Sequence, residues 1–120
     1  MIEAGAELTR KLDEIGLPVT TALWFFNVEI REWRLLFASP EVDSKGPLVV
    51  YEKIQDAIDE LGEKASEASM DVVGLLSENA ELARLLRVGV DGGTGINRIR
   101  LKRNGIRGHY IEDALVYRAA

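Results

Sequence analysis

Two short runs of aromatic and aliphatic residues, Thr21-Ala-Leu-Trp-Phe-Phe26 and Trp33-Arg-Leu-Leu-Phe-Ala38, are separated only by Asn27 to Glu32. Runs of this length and composition suit strands, and a link this short allows nothing but a hairpin. A symmetric hairpin pairs Phe26 with Trp33, Trp24 with Leu35 and Ala22 with Phe37, all six on one face. Leu23, Phe25 and Leu36 then share the other face with Arg34. Apolar residues on both sides require two central strands, or one face kept for a partner.

The rest of the chain supplies the neighbours. Residues 4–15 read as a helix with Leu8, Leu12 and Ile15 on one side, ended by Gly16-Leu17-Pro18. Ser39 to Gly46 reads as a loop. A second helix is expected from Pro47, at a first-turn position, to Gly62 just past its end. Its buried stripe is Val50, Tyr51, Ile54, Ala57, Ile58 and Leu61. Asp71 to Leu76 reads as a strand, and Ser77 as the cap of a helix carrying Leu82, Leu85 and Leu86. The predicted order is α-β-β-α-β-α-β-β. This is an α+β domain over residues 1–120, with a mostly antiparallel sheet of about five strands and two to three helices on one face.

The final segment has its own signal. Asn104-Gly105 lies between Ile96-Asn-Arg-Ile-Arg-Leu-Lys-Arg103 and Ile106-Arg-Gly-His-Tyr-Ile111. Asn-Gly suits a two-residue hairpin turn, because both positions tolerate φ > 0. A turn there pairs Lys102 with Arg107, Arg100 with His109 and Arg98 with Ile111. Arg98, Arg100, Lys102, Arg107 and His109 then form one positive stripe.

Charge is divided along the chain. Residues 1–80 hold seven Lys/Arg against sixteen Asp/Glu, and residues 81–120 hold eight against four. The net charge of -5 makes the whole chain a poor nonspecific polyanion binder. The two regions are expected to neutralise each other within the fold or across a dimer. Zero cysteines exclude disulfides, thiolate metal sites and cysteine nucleophiles, and fit a reducing cytoplasm. The N-terminal residues have neither a basic region nor an apolar core, so no signal peptide and no membrane association are expected.

Few motifs carry chemistry. Asp91-Gly-Gly-Thr-Gly95 lacks the lysine and the following helix of a phosphate loop, and reads as a connector. Glu41-Val-Asp43-Ser-Lys45 contains an acid-x-lysine triplet of the kind that holds Mg²⁺ in nucleases, though its setting between two prolines favours a turn. His109 and Asp113 share a strand face but stand ~13 Å apart along it, too far for a common metal. No cofactor or metal is expected, and no catalytic residue is assigned. Trp24, Phe26, Trp33 and Phe37 form either core or the floor of a pocket or interface.

The segments Ala22-Leu-Trp-Phe-Phe26, Glu32-Trp-Arg-Leu-Leu-Phe-Ala-Ser-Pro40, Asp43-Ser-Lys-Gly-Pro47 and Ile111-Glu-Asp-Ala114 resemble a family of small bacterial proteins with no assigned activity. The resemblance implies no catalytic residue. It does imply a final hairpin loop longer than two residues, across Asn104 to Gly108, which keeps Arg98, Arg100 and Lys102 on one face but not Arg107 and His109. The expected function is therefore a non-catalytic cytoplasmic binding or adaptor module, homodimeric or bound to a protein partner. Nucleic-acid binding through the ribbon is the first alternative. A Mg²⁺-dependent nuclease or hydrolase using Asp43 and Lys45 is the second.

Overall fold

In the computed structural model, which describes residues 1–90 and 93–120, the two apolar runs form β1 (Thr21–Asn27) and β2 (Glu32–Ser39). Their register pairs Phe26 with Trp33, Trp24 with Leu35 and Ala22 with Phe37, as a symmetric hairpin requires. β3 (Val73–Ser77) lies outside β2, β5 (His109–Ala119) beside β1, and β4 (Ile99–Ile106) beyond β5. The β2–β3 pair is parallel and the other three are antiparallel. The parallel pair follows from the connection: α2 (Pro40–Ser44), α3 (Pro47–Leu61) and a 3₁₀ turn (Gly62–Ala65) make a crossover, where a hairpin would have forced antiparallel pairing.

Both faces of the sheet are covered, which accounts for the two-sided apolar pattern of β1 and β2. α1 (Ile2–Glu14) and α3 bury Leu8, Leu12, Val50 and Ile54 against Ala22, Trp24, Leu35 and Phe37. The opposite face, expected to carry no helix, is covered by α4 (Glu81–Gly89), which packs Leu86 with Leu23, Ile106, Ile111 and Val116. α1 stops where the sequence says it must. Leu17 N–H donates to Leu12 C=O at 3.0 Å and Gly16 N–H to Asp13 C=O at 3.1 Å, with Gly16 at φ 82. That is a Schellman end, which needs a residue tolerant of the left-handed region.

Two local expectations are corrected. Part of the Ser39–Gly46 loop is helical, because Ser39 Oγ accepts the Glu41 N–H at 3.1 Å and Pro40 opens the turn with a preset φ. α4 starts at Glu81, a turn later than a cap at Ser77 implies. The Ser77 hydroxyl instead accepts the Asn79 N–H at 3.1 Å and donates to Asp43 at 2.6 Å, so it shapes the turn before the helix. Of the Gly-rich segment, Asp91 and Gly92 lie outside the described residues.

β5 also holds α1 in place. Its register against β1 slips between Ala22, opposite Arg118, and Leu23, opposite Val116. The extra residue is Tyr117, and a bulge of this kind puts two successive side chains on one face. Tyr117 Oη donates to the Ile2 carbonyl at 2.5 Å, near the start of α1. Arg118 forms a fork on Asp13 at 2.8 and 2.7 Å and donates to the Val19 and Gly95 carbonyls at 3.1 Å each. One bulge thus grips the helix at both ends.

Burial pushes the Tyr117 hydroxyl up to about 12, from an ordinary value of 10.0. The folded chain keeps this proton where the unfolded chain has lost it, so its contribution is complete below pH 10 and disappears as pH rises to about 12. Denaturant titrations across that range are expected to show falling stability in the wild type and a flatter limb in Tyr117→Phe. An identical slope in both would assign the alkaline loss to another group.

Candidate functional site: the hairpin end of the sheet

The Trp24, Phe26, Trp33, Phe37 group divides according to how far α1 and α3 reach. Trp24 and Phe37 are each 1 % exposed and belong to the core. Phe26 and Trp33, toward the β1–β2 tip, are half-buried, with ring centroids 5.4 Å apart and planes tilted by 59°. The Arg100 guanidinium stands 6.0 Å from the Trp33 ring centroid, within reach of a cation–π contact. It also grips Asp113 through two bonds, at 2.5 and 2.6 Å. Hydrogen bonding from Arg100 holds the Asp113 carboxyl below its ordinary range.

Beyond this pair the tip is open, with Val28 and Ile30 set among the exposed Glu29, Arg31 and Glu32. The Asn27 side chain accepts the Glu29 N–H at 3.0 Å, and Arg31 takes a left-handed φ of 54. This tight turn projects Val28 and Ile30, which are 55 % and 50 % exposed. Tyr110 at the tip of the neighbouring ribbon is 64 % exposed, and its hydroxyl donates to Glu112 at 2.6 Å. Phe25, Phe26, Val28, Tyr110 and Glu112 line a shallow cleft of about 290 Å³ between the two tips. Val28 and Ile30 did carry a signal: aliphatic residues in a hairpin link, where solvated polar residues are usual.

The ribbon corrects the predicted stripe. Its two-residue loop is Arg107-Gly108, at φ 48 and 83, and Ile106 pairs with His109, Asn104 with Ile111, Lys102 with Asp113 and Arg100 with Leu115. The pairings Lys102–Arg107, Arg100–His109 and Arg98–Ile111 are therefore absent, and so is a loop across Asn104 to Gly108, whose first three residues are paired strand. Arg103 also has a left-handed φ of 48. Beyond it the ribbon is turned over, so Ile106 and Ile111 reach the α4 layer while Arg100 stays over Trp33.

The five predicted basic residues are consequently dispersed. Arg98 pairs with Glu3 on α1 at 2.9 Å, Arg100 with Asp113, and His109 Nε2 with Glu81 on α4 at 3.0 Å. Arg107 lines a cleft with Arg84, Leu85 and Val88 on the α4 side. Lys102 is exposed and makes no ion pair among the described residues. Arg98 with Glu3 and Arg118 with Asp13 do join the basic region to the acidic one within the fold.

The acid-x-lysine triplet sits on α2 and its C-cap. Glu41 is held by Lys53 at 2.6 Å and by Lys45 at 3.5 Å, and Asp43 takes the Ser77 hydroxyl. Hydrogen bonding from Lys53 lowers the Glu41 pKa. Among the described residues no three His, Asp or Glu side chains converge as metal ligands, and no helix is long and apolar enough to cross a membrane.

Comparison with known protein families, with proteins of curated function and with solved structures finds no match.

Proposed function

We propose that this protein is a small, non-catalytic cytoplasmic binding module that engages a protein partner through the hairpin end of its sheet. The observation that carries the reading is the open apolar surface around the cleft between the two tips. Val28, Ile30 and Tyr110 are each at least half exposed beside the half-buried Phe26–Trp33 pair. Aromatic residues flanked by an arginine are the composition favoured at protein interfaces.

A photo-crosslinking residue placed at Ile30 in cells producing the protein tests this reading. Discrete adducts are expected from Ile30, lost in the Trp33→Ala background, and none from Gln55 on the solvent side of α3. Equal labelling at both positions, or none at Ile30, overturns it.

A second reading, nucleic-acid binding through the ribbon, is favoured by the exposure of Lys102, Arg103 and Arg107. Fluorescence anisotropy with single- and double-stranded DNA and RNA at ~50 and ~200 mM salt is its measure. The informative variant is Lys102→Glu with Arg107→Glu. Reversing Arg98 or Arg100 would also break their pairs with Glu3 and Asp113. Salt-sensitive binding lost in the double variant supports the ribbon, and no binding at low salt removes it.

A further inference from the structure

The two outer strands of the sheet are built differently. β4 carries Arg100, Lys102 and Arg103, and leaves extended geometry at Arg103. Charge and a local twist are the ordinary means by which an edge is kept from pairing. β3, Val73-Gly-Leu-Leu-Ser77, has no charge, no proline and a regular register with β2. That edge is unguarded.

Its backbone groups can be assigned one by one. Leu35 N–H donates to Val72 C=O at 2.8 Å. Alternation along the parallel ladder then turns Gly74 and Leu76 toward β2, and Val73, Leu75 and Ser77 outward. Two of the outward groups have local partners. Val73 N–H donates to Met70 C=O at 3.3 Å, and Ser77 C=O accepts Ala80 N–H at 3.0 Å. Val73 C=O, both groups of Leu75 and Ser77 N–H have no backbone partner among the described residues.

We propose that β3 pairs antiparallel with β3 of a second copy of this chain, about a two-fold axis at Leu75. In that register Leu75 exchanges both hydrogen bonds with Leu75 of the partner subunit. Ser77 N–H of each copy donates to Val73 C=O of the other. Every orphan group is satisfied; the same register sets Val73 N–H opposite Ser77 C=O of the partner subunit, and these two groups keep their local partners, Met70 C=O and Ala80 N–H. Leu76 meets Gly74 of the partner subunit, a large side chain against none.

The ends of the strand match in charge as well. Arg34 donates to the Asp71 carbonyl at 2.8 Å at one end, and Arg87 to the Glu78 carbonyl at 2.8 Å at the other. Each end therefore brings an arginine beside an acid, and Arg34 also pairs with Glu32 at 3.5 Å. Antiparallel pairing sets Arg34 toward Glu78 of the partner subunit, and Arg87 toward Asp71 of the partner subunit. A two-fold contact of this kind closes on itself and leaves no further edge of the same sort. It uses neither Val28, Ile30 nor Tyr110, so it stands apart from the partner surface at the hairpin end.

Sedimentation equilibrium and amide hydrogen exchange on the unaltered full chain, from low micromolar to submillimolar concentration, test the pairing. The expected result is a two-chain species in which exchange at Leu75 and Ser77 slows as concentration rises. Leu76→Lys is expected to weaken association about tenfold or more, by placing charge inside an apolar edge contact, with an unchanged circular dichroism spectrum. A one-chain mass throughout, or a two-chain species whose Leu75 amide exchanges at a concentration-independent rate, overturns the proposal. The exchange measurement needs no variant, so it decides even where Leu76→Lys fails to fold.

Discussion

Gly5→Ala is expected to destabilise the protein by about 2 kcal/mol, although alanine is the better helix former. A Cβ at position 5 would stand 2.6 Å from Trp24 Nε1 and against the Tyr117 hydroxyl. Both rings are locked, Trp24 at 1 % and Tyr117 at 0 % exposure, so neither can swing aside. Overpacking a dense core costs roughly 1–3 kcal/mol, and forced movement of two large aromatics belongs at the upper end. The propensity gain of about 1 kcal/mol offsets only part of it. In a thermal scan the loss corresponds to a fall in Tm of about 5–10 °C. Adding Tyr117→Phe, which removes the nearest atom, is expected to make the pair less damaging than the sum of the single changes. A Gly5→Ala protein as stable as the wild type would show that α1 does not approach the sheet this closely.

Arg118→Ala is expected to cost more, about 3 kcal/mol. The side chain is 7 % exposed and supplies every bond of a four-way junction: Asp13 twice, Val19 C=O and Gly95 C=O. Removing one member of a buried pair costs roughly 3–5 kcal/mol. Asp13 is 39 % exposed and regains water, which places the expectation at the lower limit. Arg118→Lys is expected to recover less than half, because an ammonium cannot hold a carboxylate and two carbonyls in the plane of a guanidinium. Urea titrations of the three proteins measure this. A loss below about 1 kcal/mol in Arg118→Ala would sink the idea that the bulge anchors α1.

Where the sequence could be read, the reason was local density of constraint. β1 and β2 are rich in residues that must be buried, and a link of fixed length leaves one symmetric register, so each partner could be named. Gly16 and Gly62 marked helix ends for the same reason: few residues accept φ > 0 there. The ribbon failed because its decisive constraint is remote. Asn104-Gly105 can form a tight turn by itself, but Ile106 and Ile111 are buried at 8 % and 3 % exposure against the α4 layer. Burying both outweighs one favourable turn, and the chain continues to Arg107-Gly108. Which of the four aromatics were core depended on where α1 and α3 end over the sheet, a distance no window of sequence contains. The exposed tip residues were legible as aliphatics in a hairpin link, but the cleft that Val28 shares with Tyr110 depended on the placing of the neighbouring ribbon.

The position of β5 beside β1 also governs how the molecule can assemble. Thr21 lies opposite Ala119 and Phe25 opposite Ala114, so the innermost seam of the sheet joins segments nearly a chain length apart. Closing so large a loop is paid in chain entropy before any contact rewards it, and proteins dominated by such pairings fold slowly. Until the seam closes, β1 has a bare edge flanked by Leu23 and Phe25, an edge that β5 pairs once folding is complete. The hairpin that forms most readily is thus also the one left longest in need of a neighbour.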